Sequence, residues 1–77
     1  MIAIFKTNVK QPAVAIKIID ELLGKYPKFG ISFDLEDEDR ILRVEGNPFH
    51  VEDIILSLLN NGYVCIHLPY DPHCSPV

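Results

Sequence analysis

The stretch Gly30-Ile31-Ser32-Phe33-Asp34-Leu35-Glu36-Asp37-Glu38-Asp39-Arg40-Ile41-Leu42-Arg43-Val44-Glu45 decides the fold. Its first half alternates without a break: Ile31, Phe33 and Leu35 against Ser32, Asp34 and Glu36. Apolar and polar residues at period two describe a strand with one wet face. Asp37-Glu38-Asp39 is a polar turn. From Arg40 to Glu45 the alternation resumes, with Leu42 and Val44 inward and Arg43 and Glu45 outward. Two strands this close in sequence pair as a hairpin.

Each side of the hairpin carries one helical segment and one further strand. Upstream, Pro12 suits the first turn of a helix, where its missing N–H has no partner to lose. Ala15, Ile19 and Leu22 then share one helical face, with Val14, Ile18 and Leu23 beside it. Gly24 and Pro27 bring the helix to a stop, so it spans 12–25. Before it, Ile2 to Asn8 is rich in strand formers. Downstream, a second helix begins either at Asn47-Pro48 or at His50, with Phe49 stapled onto Ile54; the later start is preferred. Its stripe is Val51, Ile55 and Leu58, flanked by Ile54 and Leu59, and Asn61-Gly62 ends it. Tyr63 to Leu68 is a fourth strand. The order is βαββαβ. With right-handed crossovers it gives an α+β, ferredoxin-like sandwich: a four-stranded antiparallel sheet with both helices on one face. The expected domain is 1–68, and 69–77, with three prolines, is a C-terminal tail.

Composition narrows the function. The chain has 77 residues, 48% hydrophobic and 23% charged, which is the balance of a folded domain and not of a disordered one. Lys and Arg number 7 against 11 Asp and Glu, for a net charge of −4, the wrong sign for binding nucleic acid. No apolar run approaches the ~20 residues that span a bilayer, and Met1 to Lys6 lacks the form of a signal peptide. Two cysteines, Cys65 and Cys74, fit reduced thiols in the cytoplasm better than a disulfide framework.

Few residues carry chemistry. The loop Thr7 to Pro12 holds no Cys, His, Asp or Glu and no glycine, so it offers neither soft-metal ligands nor a phosphate cradle. Cys65 and His67 lie two apart on a strand and share a face. Were the tail to fold back, His73 and Cys74 would complete a four-ligand copper or zinc set; otherwise Cys65 is a small core residue and His67 a solvated one. No acid orients His67 and no oxyanion site is evident, so an enzyme is not expected. Glu36 to Asp39 lacks the spacing and glycine of a calcium loop. Lys25 and Lys28 around Tyr26 form a mild basic-aromatic cluster, read first as a helix C-terminus whose cations complement its dipole.

One face of the sheet remains. If Ala3, Phe5 and Thr7 point to the helices, Ile2 and Ile4 point away, joined by Ile41, Tyr63 and Cys65 in an apolar patch. The inverse assignment makes Ile2 and Ile4 ordinary core. A patch there would suit a protein partner or a symmetric homodimer through the sheet face.

With the elements placed, the sequence resembles the heavy-metal-associated domain family of small copper- and zinc-carrying proteins, over about residues 3–68. The resemblance rests on Phe5-Lys6-Thr7-Asn8 before the first helix, on the hairpin from Phe33 to Gly46, and on Leu58-Leu59-Asn60-Asn61-Gly62-Tyr63. In that family a Met-x-Cys-x-x-Cys motif in the loop after strand one holds the metal. On this chain those positions are Val9, Gln11 and Val14, so both thiolates are missing. The resemblance therefore implies the scaffold, and a habit of docking to a like-folded partner, without the metal chemistry of that loop.

Overall fold

A computed structural model describes residues 1–69. Six elements follow in the order β1 (Ile2–Thr7), α1 (Pro12–Lys25), β2 (Gly30–Asp34), β3 (Ile41–Glu45), α2 (Val51–Asn60) and β4 (Cys65–Leu68). The strands form one antiparallel sheet in the order β2-β3-β1-β4, with both helices on one face. This is the ferredoxin-like βαββαβ sandwich. The expected tail lies outside the described residues apart from Pro69.

Register explains how the core is made. β1 pairs with β3 through Ala3↔Val44 and Phe5↔Leu42, and β2 pairs with β3 through Ile31↔Val44 and Phe33↔Leu42. Paired residues of an antiparallel ladder share a face. Ala3, Phe5, Leu42 and Val44 are fully buried against Ile18 and Leu22 of α1 and Ile54 and Leu58 of α2. Both helix stripes sit slightly off the expected lines. Ile18 is buried where Ile19 is half-buried, and in α2 the buried set is Ile54, Ser57 and Leu58. Ser57 is inside because its hydroxyl has partners: it donates to the Asp53 carbonyl at 3.0 Å and accepts from Lys25 Nζ at 3.4 Å.

The connections are held by local hydrogen bonds. At the hairpin tip, the Asp39 N–H donates to Asp37 Oδ1 at 2.8 Å and the Arg40 N–H to the Asp37 carbonyl at 3.1 Å. Arg40 takes a left-handed φ of 46°, and its guanidinium donates to the Leu35 carbonyl. The tip is tied to β1 by Thr7, whose hydroxyl donates to the Arg40 carbonyl at 2.6 Å and accepts from the Val9 N–H at 3.2 Å. Helix α2 starts at the later of the two expected sites, with His50 as its N-cap. It ends in a Schellman motif, in which the Tyr63 N–H donates to the Leu58 carbonyl and the Gly62 N–H to that of Leu59, both at 2.9 Å. Gly62 supplies the φ of +85° that this turn requires.

Candidate functional site

Three places bear on function: the loop after β1, the core side of β4, and the sheet face without helices. The loop is closed. Val9 is fully buried, its N–H is taken by Thr7, and Gln11 stands exposed at the start of α1 with no side-chain capping bond. Val14 packs against the core. Of the three positions where the resemblance expects Met, Cys and Cys, two are therefore occupied by apolar packing.

On β4, the pairs Thr7↔Cys65 and Phe5↔His67 put Cys65 and His67 on the helix side of the sheet. They share a face, as their spacing predicts. Cys65 is 8% exposed, and burial pushes its thiol up to about 12. Metal ligation and nucleophilic attack both use the thiolate, and at neutral pH this site disfavours it. The His67 ring lies 5.3 Å from that of Phe5, centroid to centroid. His73 and Cys74 lie outside the described residues. Among the described residues, no three His, Cys, Asp or Glu side chains come together to hold a metal ion.

The face away from the helices is now defined by parity. Ile2, Ile4 and Lys6 of β1 lie there beside Ile41, Arg43 and Glu45 of β3, and beside Ile66 and Leu68 of β4. Gly30, Ser32 and Asp34 of β2 complete it. Ile2, Ile4, Ile41 and Leu68 are half-buried by their neighbours and Ile66 is 57% exposed. The result is an apolar ridge over β1 and β4. Next to it is a depression of about 400 Å³, lined by Gly30, Ser32, Arg43 and Glu45. Lys6 stands in the ridge and forms an exposed ion pair with Asp39 at 3.4 Å, which adds little stability.

Two residues expected on this face are elsewhere. Tyr63 and Cys65 pack on the core side. The physical reason is the end of α2. The Tyr63 N–H is used by the Schellman motif and the Val64 N–H donates to Asn8 Oδ1 at 2.9 Å, so the ladder begins only at Cys65. The pairing Thr7↔Cys65 then turns Ile66 and Leu68 outward. Sequence reading missed these two; their signal is the second apolar set, Val64, Ile66 and Leu68, alternating with Tyr63, Cys65 and His67.

No family model, curated protein or solved structure matches the chain. Among the described residues, no helix is long and apolar enough to cross a membrane.

Proposed function

We propose that this chain is a non-enzymatic interaction module of the cytoplasm. It is a heavy-metal-associated-like scaffold without the cysteine pair, and it pairs its open sheet face with that of a second copy. The observation that carries this is the ridge of Ile2, Ile4, Ile41, Ile66 and Leu68 on a face that no helix covers. Contiguous apolar surface of this kind marks interfaces. The same face carries Lys6, Arg43 and Glu45, so both signs of charge are present for a two-fold contact, in which each patch meets its own copy. Four strands ~4.8 Å apart and about five residues long make a face roughly 19 by 17 Å. That is below the size of stable specific interfaces, so the contact is a weak, concentration-dependent one. The buried, proton-bearing thiol of Cys65 argues against its use as a nucleophile.

Light scattering after size exclusion tests it. Loaded from ~10 µM to ~1 mM, the protein is expected to move from monomer toward twice that mass. Ile66→Asp, at a position 57% exposed, is expected to return it to monomer, and a thermal melt checks that the fold is kept. A strict monomer at high micromolar concentration removes the proposal. The rival use of Cys65, His67, His73 and Cys74 as a copper or zinc carrier has its own test. Anaerobic titration with copper(I) or zinc is expected to give no tight binding that depends on Cys65. Stoichiometric binding lost in Cys65→Ser and Cys74→Ser restores the carrier.

A further inference from the structure

The basic-aromatic cluster around Tyr26 has no part in sheet pairing. It lies at the end of the sheet opposite the hairpin, where the α1–β2 and β3–α2 connections meet. There the Tyr26 ring stacks on Phe29, with centroids 4.6 Å apart and planes 12° from parallel. Phe49 tilts against both, at 6.4 Å and 5.2 Å. The Tyr26 hydroxyl donates to Asp53 Oδ2 at 3.1 Å, which fixes the ring and occupies that carboxylate. Gly46 makes room: a Cβ there would fall 2.3 Å from the Phe29 ring. These contacts hold the aromatic stack in place before any ligand arrives.

Beside the stack opens a cleft of about 320 Å³. Its walls are Tyr26, Pro27, Phe29 and Pro48, and Lys25 and Lys28 stand on it. Among the described residues, the one ion pair is that of Lys6 with Asp39, so neither lysine of the cleft has a carboxylate within 4.0 Å. Lys25 Nζ reaches Ser57 Oγ at 3.4 Å, a long contact to a neutral group. In a chain of net charge −4, two ammonium groups with no ion-pair partner among the described residues stand beside an apolar, aromatic wall, and the neighbouring Asp53 carboxylate is taken by Tyr26. Attraction to cations is screened by water over flat surface and strengthened beside low-dielectric walls. The volume is at the lower end of small-molecule sites, which admits one or two fused rings.

We propose that this cleft binds a small organic anion with a flat apolar body, such as an aromatic carboxylate. The ring lies against Pro27, Phe29 and Pro48, and the acid group meets Lys25 and Lys28. Amide chemical-shift titration of the whole chain with 2-naphthoate tests this, with the neutral 2-naphthamide as comparison. Saturable shifts are expected at residues 25–29 and 46–49, with a Kd on the order of 0.1–1 mM. Lys25→Gln with Lys28→Gln is expected to weaken naphthoate roughly tenfold and leave naphthamide unchanged. Both lysines are exposed and Ser57 keeps its bond to the Asp53 carbonyl, and a thermal melt of the variant checks that the fold is kept. Three outcomes overturn the proposal: no saturation, shifts centred on Ile4 and Ile66, or equal weakening of both probes.

Discussion

Above pH 9 the folded domain is expected to lose stability as the pH rises, and Cys65→Ala is expected to remove most of that loss. The cause is the packing of β4 against β1. Burial raises the Cys65 thiol from the usual 9.0 to about 12. In the unfolded chain the thiol ionises from about pH 9, while in the folded chain it keeps its proton until the pH is near 12. Between these values the unfolded state binds fewer protons, so the equilibrium shifts toward it as the pH rises. The contribution is whole below pH 9 and gone above 12. At one pH unit per ~1.4 kcal/mol, roughly 2 kcal/mol is lost by pH 10.5. Tyr26 adds to the slope in the same direction. Its hydroxyl is raised by desolvation first, then by its hydrogen bond to Asp53 and the charge of that carboxylate. Urea unfolding of wild type and Cys65→Ala at pH 7, 9 and 10.5 measures the effect. Parallel stability curves for the two proteins would show that Cys65 ionises freely in the folded state.

Gly46→Ala is expected to cost about 1–3 kcal/mol, the range for forcing an extra methyl into packed surroundings. The added carbon would sit 2.3, 2.6 and 2.7 Å from three carbons of the Phe29 ring. That ring is confined by Tyr26 on one side and Phe49 on another, and its open side faces the cleft. Gly46 does not have a positive φ, so the penalty is one of space alone. Gly62 is the opposite case. A Cβ there meets nothing within 4 Å, yet its φ of +85° makes a side chain strained. The control is Phe29→Leu: with a smaller, more pliable neighbour, the cost of Gly46→Ala should shrink by more than half in a double-mutant cycle. Denaturant midpoints decide it, and a Gly46→Ala protein within 0.5 kcal/mol of wild type, smaller than any overpacking cost, would mean that the Phe29 ring yields freely.

Much of this architecture is written in local pattern. The alternation from Ile31 to Val44, the first-turn proline at Pro12 and the glycine at Gly62 are each read within a few residues of themselves, and each marks an element that forms. The open face was legible only in part. The parity of strand one grouped Ile2 with Ile4 but left open which face they take, which the pairing of Phe5 with buried Leu42 decides. Ile66 and Leu68 depend on where a helix stop hands over to a ladder, and two residues, Tyr63 and Val64, are consumed there. That handover shifts the reading of β4 without any change in its composition. The cleft beside Tyr26 was visible only as a cluster of residue types. Its aromatic stack joins Phe29 to Phe49 and to the space left by Gly46, and such meetings between distant segments have no signature in spacing. The resemblance to metal carriers was carried by element order and turn residues, which describe a scaffold and leave its use open.

The sheet also has two rims. β2 and β4 are its outer strands, with unpaired backbone groups along one side. Such rims recruit further chains one after another, and growth of that kind has no natural end. Here the β4 rim is four residues long and is followed at once by Pro69, which lacks the N–H that a next rung would use. β2 begins at a glycine and ends at Asp34, neither of which favours an added strand. Contact through the face closes at two copies, whereas contact through a rim would run on as a fibre. For the proposed face-to-face contact, the brevity of β4 favours a closed pair over a fibre.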